Sequence, residues 1–528
     1  MPLGRAVFVL AALLPPPAAA ADEGHSHAGE KLGKVDFKVT CAPAAAARFP
    51  RAAALLHSFA YAEARKAFED VLAADPRCAM GHWGVAMTLF HPVWAAANPA
   101  AAPSPDELQR GAAAVERAKA LGGGDEREKA YIQAVDAFYS TAGDYATRAL
   151  AFETAMEGVH RRHPRDQEAA IFYALALLGN APPTDKTYAR QKQAAALLNA
   201  VLPQEPEHPG VAHYIIHSFD YPPIAELALP AARAYSKIAP SAPHALHMPS
   251  HIFTRLGLWD ESIASNLDSA AAARRWVARS HPGATSFDEL HALDYLEYAY
   301  LQTCRAKEAD AVLETTARVE RVDEPQFAAA YALAAVPARH ALERRDWRAA
   351  QAVALRPASF PWDRFLNTQA LVEFAHALGG ARGGAPDQGR AAYDRLAALQ
   401  KTMLQRKDAY WAGQAEVQRL AAGAWVAQAE GRGAEALSMM RAAADAEDAS
   451  EKHPVTPGQV LPAREQLGDL LLEQGQAGPA LEAYEASLAV APNRYNSLSG
   501  ARRAAEKAGD AERTRRYAAA LKALCPKR

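Results

Sequence analysis

Of the chain's 528 residues, half are apolar, and 58 basic side chains nearly cancel 60 acidic ones. Alanine leads the apolar half, while strand-type alternation of Val, Ile, Thr and aromatics is scarce, so the fold class is all-α. No long charge block is present, which argues against a nucleic-acid track or a membrane-surface helix.

The first 21 residues read as an export signal. Arg5 supplies the positive end, residues 6–14 an apolar run, and residues 15–17 a proline break before a small-residue cleavage site at 18–21. The run is too short to span a bilayer, and no other stretch approaches the ~20 apolar residues that a span requires. The mature protein is therefore expected in the periplasm or secreted, and not membrane-spanning. A leader segment, 22–44, follows. In an oxidising compartment the four cysteines, Cys41, Cys78, Cys304 and Cys525, permit disulfides. A bridge from Cys41 in the leader to Cys78 at the start of the second repeat would clamp the leader to the solenoid end. Two buried free thiols are the alternative.

From residue 45 onward the dominant signal is a 34-residue period. Tyr61, Ala64, Phe68 and Pro76 close one copy, and Val85, Ala86 and Leu89 open the next. Gly257, Trp259 and Asn266 mark a central copy, and Trp347 with Ala350 another. The glycine-rich stretch 379–384, followed by Pro386, reads as the longest irregular break and the place of a flex. Residues 451–458 form a proline-stiffened loop. It is predicted either to fold over an inner surface, bringing Lys452, His453 or Arg464 to an anionic ligand, or to be a plain linker with solvated charges. In the last clear copy Leu467, Gly468, Leu471, Gly475, Ala480, Tyr484 and Pro492 occupy large, small, large, turn, small, aromatic and proline slots. Small residues let paired helices approach, large ones fill the groove, and proline starts the next helix. The predicted organisation is a superhelix over 45–380 and further repeats over 385–525.

This pattern resembles the tetratricopeptide repeat (TPR) proteins over most of the chain. The words His57-Ser-Phe-Ala-Tyr61, His82-Trp-Gly-Val-Ala-Met87 with His91-Pro-Val-Trp94, and His247-Met-Pro-Ser-His-Ile-Phe253 are similar, more narrowly, to a group of secreted bacterial repeat proteins. The resemblance implies an α-solenoid of helix-turn-helix repeats and, in general, an interaction scaffold. It also implies that the first helix of each pair lines a concave groove through its second, fifth, ninth and thirteenth positions. With Gly257 in the turn slot, His244, His247 and His251 take the second, fifth and ninth. The word His-Ser-Phe-x-Tyr recurs at 217–221, which puts His57 and His217 at the thirteenth position and His213 at the ninth. His91 lies one period after His57. In the following repeat His291, Asp294 and Tyr298 take the second, fifth and ninth.

Eight of the eighteen histidines fall between His208 and His291. His213 with His217, and His247 with His251, are spaced i, i+4, so each pair presents two imidazoles on one helix face. Facing pairs can converge on copper, zinc or iron. The predicted ligands are His57, His91, His213, His217, His247 and His251. His244, His291, Asp294, Tyr298, His453 and Arg464 are predicted to support the ligands or bind a substrate. Met248 beside His247 leans toward copper. Neither pair carries a zinc-protease glutamate, and no phosphate loop, nucleophile elbow or paired-cysteine motif occurs. His82, His163, His281, His340 and His376 read as structural. Two other functions compete with a metalloprotein, whether or not it is also an enzyme. One is a groove in which the same imidazoles hydrogen-bond a small molecule, a peptide or a protein partner without catalysis. The other is an accessory with purely structural repeats.

Overall fold

A computed structural model describes residues 29–93, 102–182 and 184–526. The expected signal, 1–21, lies outside the described residues. The chain divides into two units, Met1–Glu30 and Lys31–Arg528, and the second holds every helix described below. It is an all-α solenoid of antiparallel helix pairs. Among the described residues there is no strand, only an isolated bridge between Thr285 and Val322. None of their helices is long and apolar enough to cross a membrane.

The slot pattern has direct physical counterparts. A Cβ on Gly468 would sit 2.8 Å from the Tyr484 ring, and one on Gly84 would sit 2.2 Å from the Phe68 ring. Only glycine lets these helices pack so closely against an aromatic from the partner helix. Gly257 and Gly475 hold positive φ, +64° and +78°, at the turns between paired helices. The stretch 379–384 is no irregular break. Leu366–Arg382 stays helical and turns over Gly383 and Gly384 into Pro386–Gln405. A Cβ on Gly380 would lie 2.4 Å from the Gly389 backbone, so these glycines serve a tight crossing between two helices.

The leader packs as an extended strip. Phe37 is buried against Phe49, Trp83 and Tyr131, with ring centroids 5.4, 5.5 and 5.0 Å away. Cys41 and Cys78 are bridged, with Cα atoms 4.9 Å apart. A second bridge, Cys304–Cys525, ties the last helix to the middle of the chain.

The apolar core falls into two clusters that change over between Phe253 and Trp259. The solenoid curls enough to bring its C-terminal repeats back to this junction. Trp259 donates its indole N–H to the Asn493 carbonyl at 3.0 Å, and Tyr495 N–H donates to Gln302 Oε1 at 2.9 Å. The 451–458 loop folds inward: Lys186 reaches Glu451 at 2.7 Å, and Arg339 donates to the Gly458 carbonyl at 3.3 Å.

Candidate metal centre

Three helical segments bring six histidines together at the junction between the two cores. Pro209–Phe219 carries His213 and His217. Pro243–His247 and Pro249–Arg255, joined through a helical Met248, carry His244, His247 and His251. Phe287–Gln302 carries His291. Pro209 and Pro243 each start a helix at a position whose N–H would be unpaired anyway.

The six form two triads. In the first, His213 Nε2 lies 3.0 Å from His217 Nε2 and 3.1 Å from His244 Nε2. In the second, His247 Nε2 lies 3.0 Å from His251 Nε2, and the His291 ring centroid lies 4.1 Å from that of His247 at a tilt of 45°. Within each triad one ring nitrogen per residue lies within 4.8 Å of the others. The triads adjoin: the His217 and His251 rings are 6.4 Å apart, and those of His244 and His247 are 6.3 Å apart.

The outer nitrogens settle the tautomers. His213 Nδ1 faces the His57 backbone carbonyl at 2.7 Å, which can only accept, so Nδ1 carries the hydrogen. His251 Nδ1 donates to Asp220 Oδ2 at 3.0 Å. His247 Nδ1 donates to Asn266 Oδ1 at 2.7 Å, and the Asn266 amide is oriented by its own donation to the Ser262 carbonyl at 2.8 Å. A neutral imidazole that donates from Nδ1 has a bare lone pair on Nε2. His247 and His251 therefore point two lone pairs at each other across 3.0 Å.

Burial keeps these rings neutral. It pushes the pKa values of His213, His244, His247 and His291 well below the ordinary histidine range, with neighbouring histidines adding to the effect. His217 is pushed down to about 3 by burial and by His251. For Asp220, burial acts upward, but Lys452 and Arg255, followed by His251, outweigh it and hold the carboxyl well below its usual range. Arg255 donates to Asp220 Oδ1 at 2.8 Å, and Lys452, from the inward loop, lies 3.2 Å from Oδ2.

Several predicted residues belong elsewhere. The His57 side chain turns away from the triads, to Glu168 Oε2 and the Tyr214 hydroxyl, both at 3.0 Å. The repeated word does not repeat the site, because Ala53 stands four residues before His57 where His213 precedes His217. Glu168 also accepts from His208 at 3.0 Å. Burial acts upward on Glu168, but the two histidines prevail and keep it ionised, while burial pushes His57 below the ordinary histidine range. His57, Glu168 and His208 form a third buried group, apart from the triads, whose ligand atoms lie within 4.8 Å of one another. His91, in a left-handed conformation past the end of its helix, stacks on Tyr61 at 4.9 Å and faces Glu107. Asp294 meets Arg339 at 3.6 Å and is raised by burial to about 7. Tyr298 contacts Arg494 at 3.3 Å, His453 stacks on Trp411, and Arg464 pairs with Asp445 and Asp448. Met248 is core, not ligand. His244 and His291, expected only as supports, are members of the triads.

Sequence reasoning missed Asp220, Asn266, Phe59 and Tyr295. Tyr295, four residues after His291, brings its hydroxyl 3.3 Å from His251 Nε2. Phe59, at φ +55°, packs its ring 4.4 Å from His213. A bulky residue held in the left-handed region is an uncommon arrangement that clusters at functional sites.

No protein-family model matches the chain, and no curated protein sequence matches it. Among solved structures, the chain is similar to the APC/C hetero-tetramer Cut9–Hcn1, at 12% identity over 87% of this chain and 76% of that one, TM-score 0.34. It is similar to a monomeric IFIT1 mutant with Gppp-AAAA, at 11% identity over 85% and 90%, TM-score 0.36. It is also similar to the P58(IPK) TPR domain, at 10% identity over 89% and 99%, TM-score 0.20. No ligand, partner or residue role passes from these structures to this chain.

Proposed function

We propose that the chain is a metalloprotein whose two histidine triads each bind one transition-metal ion. The observation that carries the reading is the pair of facing lone pairs on His247 and His251, 3.0 Å apart in a buried site. Two acceptors at that distance repel unless a cation lies between them. Burial drives these imidazoles away from protonation, which leaves a metal ion as the cation that fits. Cis ligands ~2.0–2.1 Å from one ion are themselves ~2.9–3.4 Å apart, the range of the His213–His217, His213–His244 and His247–His251 nitrogen pairs. The outer partners are those of metal-binding histidines: a carbonyl on His213, a carboxylate on His251 and an amide oxygen on His247. An all-imidazole donor set suits copper, zinc or iron.

Three protein ligands per ion leave a position open for an exogenous molecule, the pattern of reactive rather than structural sites. Export to an oxidising compartment agrees with the two disulfides. Helical-repeat solenoids also serve as interaction scaffolds, and that role concerns other surfaces, since five of these histidines are almost wholly buried and His244 is partly so.

Elemental analysis of natively purified chain tests the reading. Two equivalents of metal are expected, with one lost in His247→Ala/His251→Ala and the other in His213→Ala/His217→Ala. Helicity should persist in both, because alanine favours helix. Wild-type protein that takes up no copper, zinc or iron when these are supplied would overturn the proposal, as would double variants that retain both equivalents.

A further inference from the structure

A small pocket, partly open to solvent, lies beside the metal centre and is lined by Trp411, His453, Asn367, Tyr331, Lys452 and Thr456 among others. It shares a wall with the centre. Lys452 reaches Asp220, which orients His251, and the Thr456 carbonyl accepts from the Tyr295 hydroxyl at 3.3 Å.

Three polar groups on this lining have no protein partner: Trp411 Nε1, His453 Nε2 and Asn367 Nδ2. Trp411 and His453 are only 7% and 2% exposed. All three are donors. An indole nitrogen can only donate. His453 Nδ1 accepts from the Val455 N–H at 3.1 Å, so its Nε2 carries the hydrogen, and burial together with Lys452 keeps the ring neutral. Donors come from three separate elements: the Leu366–Arg382 helix, the Ala409–Ala429 helix and the inward loop. Buried polar groups are almost always paired, so three unpaired donors on one cavity mark the place of a molecule rich in acceptors. No acidic residue lines the cavity, and Lys452 is its charged group. The walls are flat: His453 stacks on Trp411 at 5.3 Å and 23°, with Tyr331 6.4 Å from Trp411.

We infer that this cavity binds a small carboxylate, its oxygens taking the N–H groups of Trp411, His453 and Asn367 and its body lying against the aromatic wall. Benzoate and acetate are the probes, with benzamide, benzylamine and inorganic phosphate as controls. Each is titrated by calorimetry into the full chain, as purified and after chelation.

Benzoate is expected to bind one saturable site at least tenfold more tightly than benzamide, with benzylamine not binding. Trp411→Phe keeps the ring and removes one donor, and should weaken benzoate at least fivefold without changing the thermal midpoint or the metal content. Should that variant lose stability, Asn367→Leu, at a half-buried position, gives the same reading. The inference is overturned if neither carboxylate saturates, if benzamide binds as tightly as benzoate, if phosphate binds more tightly than both, or if the variants bind like wild type. The donors belong to the chain itself, so benzoate binding by chelated protein is decided separately from the metal reading.

Discussion

Asp220 is the residue whose loss should cost most for the smallest change in shape. One buried carboxylate, 6% exposed, receives Arg255 at 2.8 Å, His251 at 3.0 Å and Lys452 at 3.2 Å. Asp220→Asn keeps the volume, but it orphans two cations and sets an amide N–H against either the His251 or the Arg255 donor. At an effective dielectric near 20, each cation contact is worth ~5–6 kcal/mol before desolvation. Breaking a buried pair by removing one partner costs ~3–5 kcal/mol in practice. Lys452 has an escape, since burial and Arg255 already hold its pKa down to about 8 and it can shed its proton. Arg255 cannot, so the cost falls on it. The expected destabilisation is about 3–5 kcal/mol. Arg255→Met in the Asp220→Asn background should restore most of it, and Lys452→Met little. Urea titration followed by circular dichroism measures the loss. Metal content should fall at the His247/His251/His291 triad, by ~10–100-fold in affinity, and hold at the other. A variant within ~1 kcal/mol of wild type, with both metal equivalents retained, would refute this account of the carboxylate.

Gly500→Ala should destabilise by ~1–3 kcal/mol despite alanine's helix preference, because the new Cβ would lie 2.3 Å from the Tyr484 ring; a thermal midpoint at or above wild type would contradict that packing. Removing the Cys41–Cys78 bridge, which closes a loop of 37 residues, should cost roughly 4 kcal/mol by chain entropy and expose the leader to protease, which limited proteolysis with and without reductant will show. His91→Ala should leave both metal equivalents in place, and loss of either would restore His91 to the site. Burial, with Asp448, raises Glu447 to about 8, while its unfolded value stays near 4.5. Its contribution to stability is therefore whole below the unfolded value and is lost as pH rises through about 8. Glu447→Gln, which can still accept the Ala463 N–H, should flatten the stability profile over that window, and an unchanged slope would count against the assignment.

The solenoid was legible because its slots are spaced by helix geometry: Gly468 and Tyr484 meet where the 34-residue frame puts small and aromatic positions. The i, i+4 histidine pairs were legible for the same reason. What the frame could not show is how far along a helix a given level of the superhelix lies. Tyr298 shares a face with His291, but two turns and ~10 Å farther on, so it reaches Arg494 while Tyr295 occupies the site. Nor could a repeated word reveal that its first copy lacks the partner histidine. Asp220 reaches His251 from the preceding repeat, Asn266 reaches His247 from the second helix of its own repeat, and Lys452 reaches Asp220 from the loop, so no spacing along one helix links them to the histidines. The close crossing at Gly380 and Gly389 was misread as a break because glycine marks turns and tight helix contacts alike.

The inward loop is also the last part of the centre to be synthesised. All six triad histidines have left the ribosome by His291, yet Lys452, which completes the charge balance at Asp220, follows on the order of ten to thirty seconds later at ordinary synthesis rates. The imidazole faces thus exist in the nascent chain before the segment that covers them. A chain stopped short of residue 452 would carry the six histidines without the loop that covers them, leaving the His251 partner Asp220 with Arg255 as its remaining cation.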